Sequence, residues 1–192
     1  MTTDVRGLFA ENVETALQSR GVQAAASTKE YLVRLLTDLA LRPDGISLDQ
    51  PITVQLNEAL SAPTAERLEK LRCVGDGSLY VTSFFHEHLN RRGVDAGYVA
   101  KVGATAYGTA AAMLEPADST RSTSLFTELA QRFDRFVEVL REVADALLVS
   151  SARSASDIVK VYERWLRTGS SSLAMGLGAR GMLPMKPSGG VQ

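Results

Sequence analysis

The sequence predicts an all-α fold, a single-domain helical bundle of about seven or eight helices followed by a flexible C-terminal tail. Apolar residues recur at three- and four-residue steps along most of the chain, which is the spacing of one helix face. Glycine or proline follows most of these runs, where a helix is expected to end. No sustained alternation of polar and β-branched residues predicts a strand, and no repeat indicates a solenoid.

The first two helices are expected before position 43. Residues 4–20 form an amphipathic run that Gly21 ends. Ser27 and Glu30 have the spacing of a capping box, in which each side chain accepts a backbone N–H of the other end, so a second helix is expected to open there. A turn at residues 43–45, Pro-Asp-Gly, closes it.

The next elements are short and are separated by proline and glycine. Pro51 suits a first helical turn because its missing N–H would have no partner there, and helices are expected over 52–60 and 64–74. Cys73 is expected to face inward in the second of these. A glycine-rich break at 75–78 then separates it from the next helix, with Asp76 or Ser78 as the cap.

The C-terminal half is predicted to contain longer helices. They are expected over 79–92, ended by Gly93; over 95–114, started by Asp95; over about 125–148; and over 157–167, with polar loops at 117–124 and 150–156. Beyond Gly169 the composition changes to Ser, Gly, Met and Pro. We therefore expect a helical domain over 1–169 and a partly disordered tail over 170–192.

Composition narrows the class of function. The chain has 192 residues, 45% hydrophobic, with a formal net charge of −1, so it lacks the excess of basic residues on which non-specific nucleic-acid binding depends. Residues 94–114 carry few charges but too few large aliphatic residues for a membrane span. Residues 1–10 do not resemble a signal peptide, and one cysteine cannot form an internal disulfide, so a cytoplasmic protein without a cofactor is expected.

Two histidines invite a metal hypothesis, which their spacing disfavours. His86 and His88 are two residues apart and would point about 200° away from each other on a helix, so they cannot share one ion. Ordinary core and surface roles are favoured for both, and no metal site is predicted. The alternative is a pocket between the helices over 79–92 and 96–114, lined by Tyr80, His86, Glu87, His88 and Tyr107.

Two other local patterns have structural explanations that we favour. A cation beside Cys73 could lower its thiol pKa, but no catalytic cysteine motif surrounds it, and a small core residue is the preferred interpretation. Gly75-Asp76-Gly77 resembles a phosphate-binding turn only superficially, because neither a third glycine nor a Gly-Lys-Ser/Thr triplet is present. A turn between helices explains it better.

The helix over 96–114 is unusually rich in small residues. Interior glycines each cost up to about 1 kcal/mol relative to alanine, so a close neighbour is expected to offset them. Packing within the molecule is favoured, with Gly103, Tyr107 and Ala110 along one stripe. The alternative is a self-association seam or ligand groove, for which the interface candidates are Gly97, Ala100, Lys101, Ala104 and Gly108.

The tail supplies a second set of interface candidates. We expect its apolar residues, Met185 among them, to be exposed on a flexible stem and to fold into the groove of a partner; the interface candidates are Leu173, Met175, Leu177, Met182 and Leu183. The leading hypothesis is therefore a non-enzymatic helical protein that acts by protein–protein association, as an oligomeric scaffold, possible homo-oligomer or adaptor. Its rival is a helical-bundle enzyme, small-molecule-binding or metal-binding protein that uses the pocket described above.

Overall fold

The protein is helical throughout the part of the chain that the computed structural model describes, which comprises residues 4–42, 50–114, 120–182 and 185. Within these ranges every regular element is an α-helix, so the predicted fold class is confirmed. The helices are α1 Val5–Ser19, α2 Ala26–Leu41, α3 Ile52–Ser61, α4 Thr64–Phe84, α5 His86–Arg91, α6 Ala96–Leu114, α7 Thr120–Gln131, α8 Phe133–Ser151, α9 Ala155–Thr168 and α10 Ser171–Gly178.

Internal contacts divide the chain into two compact units, Met1–Leu140 and Arg141–Gln192. In the first unit α6 packs against both α4 and α7, α1 packs against α2, and α3 packs mainly against α4. In the second unit α9 packs against α10. The boundary at position 169 stays a prediction, and the contacts divide the chain earlier, within α8.

Several of the predicted helix ends are observed. Gly21 follows α1 with φ of 60° and Gly169 follows α9 with φ of 66°, the left-handed conformation that glycine adopts without strain. At the start of α6, the Asp95 carboxylate accepts a hydrogen bond from the Gly97 N–H at 2.8 Å. Local chemistry therefore sets these ends, as the sequence indicates.

The predicted capping box at Ser27 and Glu30 is wrong. Helix α2 begins one residue earlier, and Ala25 precedes it without any side-chain cap. The Ala25 carbonyl accepts hydrogen bonds from the backbone N–H groups of Thr28 and Lys29 instead. Ser27 consequently lies in the first turn of α2 and Glu30 at the start of the second.

The predicted break at 75–78 is also wrong. Helix α4 runs without interruption through Gly75 and Gly77, and Asp76 is a buried residue in its interior rather than a cap. The chain departs from helical geometry later, at Phe85, where φ is −116° and ψ is 22°. The single helix expected over 79–92 is therefore the end of α4 followed by the short α5.

The long helix predicted over 125–148 is interrupted at Arg132, which separates α7 from α8. The Arg132 guanidinium donates to the Gln23 carbonyl and to the Glu128 carboxylate, and it therefore anchors this interruption to another part of the first unit. Helix α7 begins at Thr120, so residues 120–124 are helical rather than a loop. Residues 117–119 and the turn predicted at 43–45 lie outside the described residues.

The expectation that Leu173 and Leu177 are exposed is wrong. Both belong to α10 and are fully buried in the core of the second unit, together with Val161 and Trp165. The Ser170 hydroxyl caps this helix by accepting the Leu173 N–H. The helical turn at Leu173–Leu177 thus closes a core rather than waiting for a partner.

Candidate functional site

The most polar point in the interior of the first unit is the carboxylate of Asp76. Its Oδ1 atom accepts hydrogen bonds from the hydroxyls of Tyr31 at 2.5 Å and Tyr107 at 2.6 Å. The Nη1 atom of Arg72 donates to Oδ2 at 3.4 Å. The Asp76 cluster, as we call these four residues, joins α2, α4 and α6.

Glycine residues leave the space into which the rings beside this cluster pack. A Cβ atom on Gly75 would lie 2.5 Å from Cε1 of Tyr107, so only glycine lets that ring pack against α4. On α6, a Cβ atom on Gly103 would lie 2.5 Å from both Ser78 Cβ and Phe133 Cζ. Gly75 of α4 and Gly103 of α6 are therefore sites of close helix packing.

Burial decides the electrostatics of the Asp76 cluster. Burial raises the pKa of Asp76 above its usual value, while the hydrogen bonds from Tyr107 and Tyr31 and the charge of Arg72 oppose that rise. Burial, reinforced by the charge of Asp76, raises the pKa values of Tyr31 and Tyr107. Both tyrosines therefore remain protonated donors at neutral pH, and the arrangement suits a fixed polar connection between helices.

A surface groove lies beside the cluster. Its volume is about 460 Å³, and one stripe of α2 lines it together with Arg6 of α1 and Leu125 of α7. Tyr31 belongs both to the groove wall and to the Asp76 cluster. The Arg34 guanidinium carbon lies 5.2 Å from the centre of the Tyr31 ring, and Arg6 pairs with Glu30 at 3.0 Å. The groove is thus lined by charges of both signs.

The structure distributes the five predicted pocket residues among different contacts. Tyr107 is fully buried and donates its hydroxyl to Asp76. Tyr80 stacks on Phe84, with ring centres 4.8 Å apart. On α5, His86 lies 3.3 Å from the Asn90 amide, Glu87 is half-buried and His88 is exposed. The pocket hypothesis stays a prediction, and Tyr107 has a defined role elsewhere in the first unit.

Cys73 differs from its prediction in two ways. The residue is exposed rather than inward-facing, and its Sγ lies 3.8 Å from Oε1 of Glu69. Partial shielding from water and the Glu69 charge raise the pKa of the thiol, whereas Arg72 lowers it by less. The suggestion of a lowered thiol pKa is therefore wrong.

The small-residue stripes on α6 separate into covered and open positions. Gly103, Tyr107 and Ala110 are buried, as the packing interpretation expects. Of the five interface candidates, Ala100 is buried, Ala104 and Gly108 are half-buried, and Gly97 and Lys101 are exposed. Whether any of them contacts a partner stays a prediction.

The remaining tail candidates differ in exposure. Met175 is 70% exposed on α10, whereas Met182 packs against the core of the second unit. Leu183 lies outside the described residues. Met185 is 75% exposed, so Met175 and Met185 are the described apolar tail residues that present most of their side chains to solvent.

The second unit contains two buried carboxylates, those of Glu142 and Asp145. Asp145 is 4% exposed, and its Oδ1 atom accepts a hydrogen bond from Nε of Arg164 at 2.6 Å. Burial raises the pKa of Asp145, and the Arg164 charge and a Ser170 hydrogen bond oppose the rise. Nearby, the Ser172 hydroxyl donates to the Glu142 carboxylate. These contacts hold α8 against α9 and α10.

Helix α3 carries an apolar surface that the rest of the described first unit leaves partly uncovered. Ala59 is its one buried residue, although the helix also contains Ile52, Val54, Leu56 and Leu60. Ile52, Leu56 and Leu60 follow at four-residue steps and form one line along the helix, which we call the α3 ridge. Leu60 is 42% exposed and the other two are half-buried.

Charge is scarce along α3 itself. Glu58 is the one charged residue between positions 50 and 65, and it lies about 160° around the helix from Leu60 at about 100° per residue. Val54, also 42% exposed, is about 120° from Leu60 and has no apolar neighbour one turn away on its own side. The ridge is thus the continuous apolar feature of α3.

Neither a membrane-spanning helix nor a metal-binding cluster occurs among the residues that the structure describes. No helix among them is both long and apolar enough to cross a membrane. In the same part of the chain, no group of three or more His, Cys, Asp or Glu side chains is arranged to hold a metal ion.

Comparison with known proteins found no match to any family model, to any curated protein or to any solved structure.

Proposed function

We propose that this protein acts by binding another protein, as a scaffold or adaptor, and that the α3 ridge is the surface it uses. The observation that carries the proposal is the contrast between α2 and α3. Helix α2 buries seven of its 16 residues, whereas α3 buries one of ten despite its apolar sequence. An apolar surface depleted of charge is typical of the centre of a protein interface.

The physical argument concerns the cost of leaving the ridge in water. Each apolar side chain gains free energy when it is removed from water, at roughly 25 cal/mol per Å². Single exposed apolar residues are common on protein surfaces, but three in line on a nearly uncharged helix form a continuous strip. A partner that covers Leu56 and Leu60 gains this energy without burying Glu58, the one charged residue of α3. We propose the cytoplasm as the compartment for this association, because its reducing conditions keep an exposed thiol such as that of Cys73 reduced.

Covering of the ridge is testable in cells that naturally produce the protein. On a Cys73→Ser background, Leu60→Cys places a thiol on the ridge, and Val54→Cys places one at an equally exposed position off it. We expect a membrane-permeable maleimide to label position 60 several-fold more slowly than position 54 in intact cells. Labelling after denaturation controls for intrinsic reactivity. Equal rates in folded protein in cells would contradict the proposal.

A further inference from the structure

We propose that the groove beside the Asp76 cluster binds a small zwitterion, a free α-amino acid, with its carboxylate on Arg34 and its ammonium on Asp38. This inference goes beyond the proposed function and stands apart from it, because the described lining residues of the groove belong to α1, α2 and α7 and include none of α3. The groove volume of about 460 Å³ lies within the range of about 300–1,000 Å³ that small-molecule sites span.

The anion-binding group is the guanidinium of Arg34. Its central carbon lies 5.2 Å from the centre of the Tyr31 ring, which is buried in the groove wall. Glu30 and Asp38 flank Arg34 at four residues on either side, the spacing at which ion pairs form on a helix. Glu30 pairs with Arg6 instead, and within the described residues Arg34 makes no hydrogen bond or close ion pair. The ring thus holds a guanidinium whose N–H donors are available to a carboxylate.

The cation-binding group is the carboxylate of Asp38. It lines the same groove one helical turn beyond Arg34, about 6 Å along α2. No donor in the described part of the chain reaches this carboxylate. Glu69, on which the Arg34 charge also acts, is not part of the wall and is held by an arginine of its own helix. Because Arg6 and Glu30 neutralise each other, the charges left for a ligand are one cation and one anion.

This pair of charges selects a ligand that carries both signs close together. A simple anion or cation would meet one attractive and one repulsive charge in the groove, whereas a zwitterion meets two attractive ones. The buried Tyr31 ring and the half-buried Leu125 add apolar surface beside them. An α-amino acid carries its ammonium and carboxylate on one carbon and presents its side chain to such a surface, so it matches the groove in charge and in size.

Ligand-detected nuclear magnetic resonance of the full chain tests the inference, with the twenty standard amino acids as probes at up to about 10 mM each. We expect at least one to bind with a dissociation constant of about 1 mM or lower. Its amide, which lacks the carboxylate, and its N-acetyl form, which lacks the ammonium, should each bind about tenfold more weakly or worse. Binding by none of the twenty, or equal binding by the two derivatives, overturns the inference.

Two substitutions test the charges. Arg34→Gln and Asp38→Asn each neutralise an exposed side chain, so we expect both variants to fold. Each should raise the dissociation constant about tenfold or more. Arg42→Gln is the matched control, because it removes an exposed arginine just beyond α2 that is not among the described residues of the wall. Circular dichroism checks folding, and Arg34→Met replaces Arg34→Gln if that variant is unfolded. An affinity that neither substitution lowers overturns the assignment.

The position of the bound amino acid is a separate readout. In nitrogen-15-labelled full chain, backbone amide shifts should change at residues 27–38 of α2 and around Leu125, and they should stay constant in the second unit. Changes spread evenly over both units would show weak binding without a site and would overturn the inference. Neither result alters the labelling expected at the α3 ridge, so the two proposals fail independently.

Discussion

The two units of this protein each bury a carboxylate, and they satisfy it in different ways. Asp76 receives two hydroxyl hydrogen bonds from tyrosines on other helices and a longer contact from an arginine on its own helix. Asp145 receives a short hydrogen bond from Arg164, whose side chain is 22% exposed. The short hydrogen bonds to Asp76 thus come from neutral hydroxyls in the core, whereas the short hydrogen bond to Asp145 comes from a charged, partly exposed guanidinium.

The difference in donors predicts how much stability is lost when each carboxylate is removed. The two tyrosine donors of Asp76 have little access to water if the carboxylate is lost, because Tyr107 is fully buried and Tyr31 is 4% exposed. The guanidinium of Arg164 can still be hydrated if Asp145 is lost. The cost of losing a carboxylate should therefore follow the burial of its partners, and it should be larger in the first unit.

The largest expected effect comes from deleting the first carboxylate. Asp76→Ala leaves two phenol hydroxyls buried without an acceptor, and we expect the free energy of unfolding to fall by about 2–5 kcal/mol. Asp145→Ala should cost less, about 1–2 kcal/mol, because Arg164 turns to solvent. Urea titrations followed by far-ultraviolet circular dichroism measure both. An equal or reversed order would contradict the comparison.

A smaller loss of stability is expected when Gly75, against which the Tyr107 ring packs, is replaced by alanine. Gly75→Ala places a methyl group against the Tyr107 ring, and moving that ring disturbs its hydrogen bond to Asp76, at a cost of about 1–3 kcal/mol. Gly108→Ala is the matched control, since its Cβ would lie at an ordinary 3.8 Å from Ala130. That control should stabilise the protein by up to about 1 kcal/mol through helix propensity. The same urea titrations apply, and destabilisation by both would remove the steric explanation.

The smallest expected effect is a dependence on pH. Because the native pKa of Asp76 is raised, its contribution to stability is complete below its unfolded value of 3.8 and is lost as pH rises through the native value. Asp76→Asn keeps an acceptor for the tyrosines and does not titrate. Its free energy of unfolding, relative to the parent protein, should increase as pH rises from about 4 through the native pKa of Asp76.

A matched variant extends this pH measurement to the second unit. Asp145→Asn should show the same direction, because burial also raises the pKa of Asp145. The increase for Asp145→Asn should be smaller than that for Asp76→Asn, since the Arg164 charge at 2.6 Å favours the ionised carboxylate.

The opposite pH dependence would contradict the explanation given for Asp76. If the stability of Asp76→Asn relative to the parent protein fell as pH rose, hydrogen bonding rather than burial would control the native pKa of Asp76.

Local patterns predict the helical class and several helix ends, but they do not predict the Asp76 cluster. Gly21, Gly169 and Asp95 act on their immediate neighbours, so their roles are readable from the sequence. Gly75 and Asp76 look like a turn because the residues that explain them, Tyr31 and Tyr107, are 45 and 31 positions from Asp76. Tertiary packing therefore overrides the local preference for a break.

The α3 ridge and the tail show the same contrast between what local sequence predicts and what tertiary packing decides. The run over 52–60 has a readable helical spacing, but sequence alone does not show that α4 and α6 cover so little of it. Leu173 and Leu177 look available because Ser, Gly and Met surround them, yet the core around Trp165 accepts both. Composition indicates which side chains avoid water, and the fold determines what covers them.

The position of Trp165 has a practical consequence. It is the sole tryptophan of the chain, it is 6% exposed, and its ring lies 5.7 Å from that of Tyr162 in the core of the second unit. Its fluorescence is therefore a built-in optical probe of that core. The near-ultraviolet signals of the tightly held Tyr31 and Tyr107 serve the same purpose in the first unit. One unlabelled sample thus carries two spectroscopic reporters, and comparing their melting curves would reveal whether the two units lose their structure in one step or in two.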